Sequence, residues 1–450
     1  MSLPRGFATD AAYFGAAVDF LHRYAWIYRE ANTSCLKSLD EMPGYMKDYF
    51  LELSNEQLNR FPFVHEALED CPEEVLRFRQ EIANLTPTQA AASAAGESPR
   101  KSKRNNCKMS IKKLHEIDKL ASHIHGHCPD TRGIIDLGSG LGYLSEALLQ
   151  LSDNYLILGL EAEEQRVQTA RERTTNSNSI SYEQLLITAD ASCRARIQEH
   201  AAALGLERAP TAIVGLHACA DLSISAMLLF LRMPQVRCLH IMPCCYHKLA
   251  LTEDGDSFVN FPLSRALREA MSAVAAPARC FHRPFLRLAC QQTKSRWQSD
   301  ARTHMAHGSQ MFQRSVAAAL CDEDESTRVR RQERPQTDYQ DLQTFASIQQ
   351  KYQLHSCQTG LGLDWRPEHE RRFEAISQVY GNGRGARLAE ALTCLQASIQ
   401  LLCENVLLYD RLCYLQELAA VQQLGLTVRY EKLFDEKLSP RCHVLIAQKL

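Results

Sequence analysis

Asp136-Leu137-Gly138-Ser139-Gly140-Leu141-Gly142 is the stretch that decides how this 450-residue chain is read. It follows the apolar run Gly133-Ile134-Ile135 and leads into Tyr143-Leu144-Ser145-Glu146-Ala147-Leu148-Leu149, whose apolar spacing is helical. A glycine loop set between a strand and a helix is the context in which such a loop holds a nucleotide-like ligand. Glycine lets the backbone turn tightly and come close to that ligand. The spacing is G-x-G-x-G, with an acid two residues ahead of the first glycine. The dinucleotide form G-x-G-x-x-G requires a glycine where Tyr143 stands. S-adenosylmethionine carries no pyrophosphate to seat on a helix N-terminus, and its cationic amino end suits Asp136. The loop therefore predicts an S-adenosylmethionine site formed by Asp136, Gly138, Ser139, Gly140, Gly142 and Tyr143. The alternative is an ordinary tight turn from strand to helix.

Beyond the loop the pattern alternates. Apolar runs at 133–137, 155–160, 180–187, 211–216 and 236–242 read as strands, with helical spacing between them. Such alternation predicts a parallel sheet covered by helices on both faces. Ligands of open α/β sheets sit beyond the carboxyl ends of the strands, so the residues there are the candidates. Glu161 ends the second strand about 20 residues past the loop, where an acid bonds ribose hydroxyls. Asp190, after the third, could accept from the adenine amino group. His217 ends the fourth and joins the cofactor set. Upstream, Lys112, Lys113 and His115 open a helix before the first strand and would approach the cofactor edge or the substrate.

The fourth and fifth strands end in Gly215-Leu216-His217-Ala218-Cys219-Ala220-Asp221 and Pro243-Cys244-Cys245-Tyr246-His247. Neighbouring strand ends would gather Cys219, Asp221, Cys244, Cys245, Tyr246 and His247 beside the transferred methyl group. Three readings stand together. One cysteine or histidine acts as nucleophile or base; the group holds zinc, although adjacent cysteines are not the usual C-x2-C spacing; or the thiols only shape the pocket as small apolar groups. No metal ligand is assigned. No Asn/Asp-Pro-Pro-Tyr element follows the fourth strand, which argues against adenine N6 methylation.

The rest of the chain divides by composition. Residues 1–85 read as a helical N-terminal domain or a helical cap on the core. Residues 86–108 read as a flexible basic linker carrying Arg100, Lys101, Lys103 and Arg104, a possible contact for nucleic acid. Residues 109–249 form the first part of an α/β core, and 250–390 read as an insertion with little strand signal. Its charged stretch 322–336 reads as a loop. Residues 391–450 complete the core with a long apolar helix, 388–418, and a β-hairpin. The fold expected is thus a class I, Rossmann-like methyltransferase sheet with an antiparallel last strand.

A net charge of −2 gives no sign of a whole-chain attraction to nucleic acid or membrane. The 17 cysteines, an odd number without a small-domain framework, favour free thiols in a reducing compartment, cytoplasmic or nuclear. The apolar stretches at 225–233 and 399–408 are short, and Glu404 and Asn405 interrupt the second. Both read as buried helices, and no membrane span is expected.

Taken together, Lys112-Lys113-Leu114-His115-Glu116, the loop from Asp136, Gly215 to Leu222, Cys244 to His247 and Met311-Phe312-Gln313-Arg314 resemble the methyltransferase-like protein 25 family. So do Leu408 to Glu417 and Leu433 to Arg441. The likeness is nearer to its 25B branch, also called ribosomal RNA adenine dimethylase domain-containing. Cys-Cys-x-His after the fifth strand is similar, more distantly, to the tRNA methyltransferase Trm-thirteen group. The family pattern Cys-Gly-Asp is Cys219-Ala220-Asp221 here. The resemblance implies an S-adenosylmethionine-dependent methyltransferase but brings no acceptor with it, and the residues give the dimethylase label no support. RNA is the acceptor class expected first, then protein. The rivals are a non-catalytic scaffold on the same fold and a zinc-dependent RNA-binding module.

Overall fold

The computed structural model describes residues 3–4, 6–68, 70–87, 109–175, 177–321, 326–332 and 344–450. The basic cluster at 100–104 lies outside them. The N-terminal segment is helical: α1 (Asp10–Arg23), α2 (Cys35–Glu41), α3 (Gly44–Glu52), α4 (Asn55–Arg60) and α5 (Glu73–Leu85). Their buried side chains, among them Phe14, Phe20, Phe50 and Phe78, share one hydrophobic core with the central sheet. Helix α6 (Ile111–His127) then leads into β1 (Gly133–Leu137), α7 (Tyr143–Leu149), β2 (Leu156–Glu161), α8 (Glu164–Arg173), β3 (Ile180–Gln184), α9 (Ala191–Ala203), β4 (Thr211–Cys219), α10 (Leu222–Arg232) and β5 (Val236–Cys244).

The segment after β5 forms α11 (Arg265–Ser272), α12 (Pro277–Cys280), α13 (Arg283–Leu288), α14 (Ala301–Ala319), β6 (Thr327–Arg331), α15 (Phe345–Lys351), β7 (Tyr352–Ser356), β8 (Gly362–Leu363) and α16 (Pro367–Tyr380). Strands β6, β7 and β8 make a small antiparallel sheet. Its first strand falls inside the stretch expected to be a loop. Three arginines in Thr327-Arg328-Val329-Arg330-Arg331 hide the alternation of an edge strand, since charge is what keeps such edges from pairing further. Helix α17 (Arg384–Val421) follows, and β9 (Leu426–Lys432) and β10 (His443–Lys449) close the chain.

The central sheet has seven strands in the order β3-β2-β1-β4-β5-β10-β9. Strands β1 to β5 are parallel, and β10 runs antiparallel to both β5 and β9. Every residue of β1 is buried, as a central strand covered on both faces requires. The order reverses between β1 and β4, which places the crevice over their carboxyl ends. This is the class I methyltransferase sheet expected from the sequence.

Helix α17 is long and apolar enough to cross a membrane by length and composition, yet 83% of its most apolar window is buried inside the protein. Its polar side chains explain why it lies there. Asp410 accepts backbone N–H groups of Leu263 and Ser264 at 2.9 and 2.8 Å, and the Ser264 hydroxyl at 2.8 Å. Burial would raise the Glu390 carboxyl, but His304, His307 and Arg296 around it hold it down to about 2. The Gln396 amide donates to the Ile27 carbonyl at 2.9 Å. One helix thereby ties the N-terminal helices and the 250–390 segment to the sheet.

Candidate functional site

The glycine loop is held by its own strand neighbour. Gly138 and Ser139 donate backbone N–H groups to the Leu160 carbonyl at 2.8 and 3.1 Å. Gly140 donates to Glu161 Oε2 at 3.0 Å, and Glu163 N to Glu161 Oε1 at 3.1 Å. Gly138, Gly140 and Gly142 all have φ in the left-handed region, at 69°, 58° and 78°. At Gly142 space is closed as well: a Cβ there would lie 2.3 Å from the Tyr182 hydroxyl. Position 140 is open, its nearest neighbour being 4.0 Å away.

The loop borders a cavity of about 550 Å³. Its polar wall includes Asp136, Ser139, Glu161 and Asp221, and its apolar wall includes Leu185, Leu186 and Ile187. Asp136 is buried and accepts from the Ser145 hydroxyl at 2.7 Å. Burial pushes its carboxyl up to about 6, against the opposing effect of that hydroxyl. The Ser139 hydroxyl is buried with no hydrogen-bond partner, a polar group that a ligand would satisfy. The Tyr143 ring lies between two cations, with Lys113 Nζ and Arg173 Cζ each 4.0 Å from its centroid.

Strand β4 runs three residues beyond its expected end, through a bulge between Gly215 and Ala218 opposite Ile241 and Pro243 of β5. The extra residue turns Leu216 and His217 into the cavity wall. Below His217 lies Glu116 of α6, 3% exposed, 3.6 Å from His217 Nε2 and 3.8 Å from Lys112 Nζ. At the strand end Asp221 accepts the backbone N–H of Ala250 at 3.0 Å and the Asn260 amide at 2.8 Å. Cys219 lines the cavity, and its Sγ is 3.1 Å from Cys244 Sγ. The parallel register pairs these two residues directly.

Other candidates lie elsewhere. Asp190 is exposed and caps α9, its Oδ1 accepting from Cys193 N at 2.9 Å; it is not on the cavity wall. The third strand stops at Gln184, and the stretch 185–187 takes the place expected for Asp190. Tyr246 is fully buried, its ring under the Arg411 guanidinium at 4.9 Å, because Cys245 adopts a left-handed turn that sends the next residue into the core. Cys244, Cys245 and His247 stand behind Cys219 rather than on the wall, and His247 Nδ1 is 4.0 Å from Cys290 Sγ. His115 Nε2 accepts from Asp435 N at 3.1 Å, fixing the β9–β10 loop. Of the three α6 candidates, only Lys113 reaches the cavity. Glu116, Arg166, which lines the cavity 3.9 Å from Glu161 Oε1, and the apolar wall at 185–187 were not among the site candidates, because a short apolar run or a charged helical residue looks the same in core, surface or site.

Residues 112–252 match the family model of a methyltransferase domain. Methyltransferase-like protein 25 of Mus musculus is 27% identical over 248 residues, 53% of this chain and 37% of that protein. The chain thus spans just over a third of the length of this relative. Among solved structures, Streptomyces venezuelae DesVI is 14% identical, covering 30% of this chain and 53% of its own with a TM-score of 0.22. The glycopeptide N-methyltransferase MtfA complexed with S-adenosyl-L-methionine is 16% identical over 33% of this chain and 60% of its own, TM-score 0.20. The plantazolicin methyltransferase BpumL in complex with SAH is 12% identical over 64% and 82%, TM-score 0.22. The fold rests on the chain's own strand order. The resemblance to methyltransferase-like protein 25 read from the residues holds, and over 112–252 the chain carries a segment that matches the methyltransferase-domain family.

Proposed function

We propose that this chain is an S-adenosylmethionine-dependent methyltransferase acting on RNA. The observation that carries the cofactor is the cradle itself: the left-handed glycines Gly138 and Gly140, an unpartnered Ser139 hydroxyl and the Glu161 carboxylate around one cavity, with Gly142 off its wall setting the turn. Each Glu161 oxygen takes one backbone N–H, so a second lone pair on each is left for ribose hydroxyls. Asp136 would face the cofactor's amino end, and Leu185, Leu186 and Ile187 would pack on adenine. The bound cofactor supplies an electrophilic methyl group. The protein's part is alignment of an acceptor with it and exclusion of water by the apolar wall. Asp221 and Cys219 also line the cavity, at the end of β4, and an acceptor would meet them there.

RNA as acceptor is supported by charge. Arg100, Lys101, Lys103 and Arg104 precede α6, whose Lys112 and Lys113 continue the positive run toward the cavity. The compartment that fits such a substrate and so many free thiols is the cytoplasm or nucleus. The alternative, a scaffold without catalysis, makes a different prediction in one experiment. Purified chain and tritiated S-adenosylmethionine are added to a lysate, and label is counted in RNA and in protein. Label in RNA, lost with Glu161→Gln along with calorimetric binding of the cofactor, is the expected result. Label in protein alone overturns the RNA acceptor; binding without any transfer favours the scaffold; no binding overturns the cofactor.

A further inference from the structure

Behind the cavity wall three sulfurs converge. Cys219, Cys244 and Cys245 each offer a sulfur, and these atoms lie within 4.8 Å of one another. Two devices of the backbone bring them together. The β4–β5 register sets Cys219 beside Cys244. Cys245 then takes φ 50° and ψ 41°, a left-handed conformation costly for a residue with a Cβ, which turns adjacent cysteines toward one point. Such strain persists only where the surroundings enforce it.

A cation stands near the three sulfurs. Arg441, just before β10, is half-buried beside Cys244, Cys245, Cys290 and Cys219, and its Nε has no hydrogen-bond partner. We propose that Cys219, Cys244 and Cys245 form a three-thiolate zinc site whose fourth position is left to an exogenous ligand.

Sulfurs around tetrahedral zinc are each about 2.3 Å from the metal and so about 3.8 Å apart. The 3.1 Å separation of Cys219 and Cys244 needs to open by less than 1 Å to reach that spacing. A disulfide between them would also need only a small movement, to about 2.05 Å, but it would leave both the convergence of Cys245 and the nearby half-buried cation unexplained. Binding converts three thiols to thiolates and releases the protons they carried. Zinc with three thiolates has a net charge of −1, which Arg441 offsets. Among the described residues no fourth histidine, cysteine or carboxylate joins this group. Three protein ligands and an open position are the pattern of reactive rather than structural zinc, and Cys219 is the ligand on the cavity wall. The inference stands on the sulfur geometry and does not depend on S-adenosylmethionine as cofactor.

The test begins with the whole chain purified under reducing conditions without chelator, with bound metal measured by mass spectrometry. About one zinc per chain is expected, falling at least fivefold in Cys219→Ser and in Cys245→Ser. Titration of metal-free wild-type chain with Co(II) needs no variant and should give an intense near-ultraviolet thiolate-to-cobalt band at one equivalent. Absence of both zinc and that band overturns the proposal. So does full zinc content in both serine variants, which would move the metal to the second cluster, His123, His127 and Glu431. A mass lower by two hydrogens with Cys219 and Cys244 joined, in protein kept reduced, would overturn it in favour of a disulfide.

Discussion

The two sides of the crevice are held together in different ways. On the β1–β2 side, the glycine loop, Glu161 and Asp136 lie within 26 residues (136–161), and backbone groups of that stretch hold one another. On the β4–β5 side, Asp221 is fixed by Ala250 and Asn260. That strap is in turn anchored a few residues on, where Leu263 and Ser264 meet Asp410 of α17. Arg441 reaches the cysteines from the last hairpin. One side is local in sequence, while the other is assembled from segments more than two hundred residues apart, from Cys219 to Arg441. A local side is expected to survive changes elsewhere in the chain, and an assembled side to report on the whole fold.

The largest effect should come from Asp410→Ala. It leaves the Leu263 and Ser264 N–H groups and the Ser264 hydroxyl unpaired in the core, and each unpaired buried group costs about 1–3 kcal/mol. Urea unfolding should show a loss of about 3–5 kcal/mol. Calorimetry below the transition should show cofactor affinity nearly unchanged, because the local side does not lean on α17. A tenfold loss of affinity there would break the comparison.

Gly142→Val should come next. It adds backbone strain at φ 78° to a collision with the buried Tyr182 ring, together about 3 kcal/mol, and should abolish cofactor binding. Gly140→Ala, at φ 58° in open space, should cost only the strain of about 1 kcal/mol. Equal losses for the two in thermal melts would mean that packing at Tyr182 does not set the loop.

The acidic titration of Asp136 sharpens the local side further. Burial raises its folded-state value to about 6, above that of an unfolded aspartate. The folded chain therefore holds a proton that the unfolded chain has lost. Stability from this group is fully present below about pH 4 and is lost as the pH rises through about 6. Melting temperatures of the wild type, relative to Asp136→Asn, should fall across that interval. Cofactor affinity should rise over the same interval, as the carboxylate forms opposite a cationic amine. A parallel pair of melting curves would count against the assignment.

The smallest effect is expected at Asp190. As the cap of α9 its change to Ala should cost about 1 kcal/mol and leave cofactor affinity within twofold. A larger loss of affinity would return Asp190 to the cofactor site.

Legibility followed the same division. Glycine spacing, the acid ahead of it and Glu161 are local signals, and each was readable because strand, turn and helix leave short-range patterns. The hairpin and the long apolar helix were readable for the same reason. Asp190 lies off the cavity wall because an acid after a strand serves a helix cap as readily as a ligand. Tyr246 lies in the core because of the left-handed turn at Cys245, which leaves no mark in composition. His115 shares a helix with Lys113, but one helix face meets the cavity and another the hairpin loop.

The sequence by itself determined the element order, the parallel sheet with its reversed last strand and the glycine loop, since periodicity and glycine spacing act over a few residues. Only the tertiary structure decided which candidates face the cavity, that a bulge turns His217 into it, and that three sulfurs and Arg441 meet behind it. Those outcomes depend on register, on burial and on contacts between distant segments. A one-dimensional pattern does not carry them, because the free energy that sets them belongs to pairs of residues that meet only when the chain is folded.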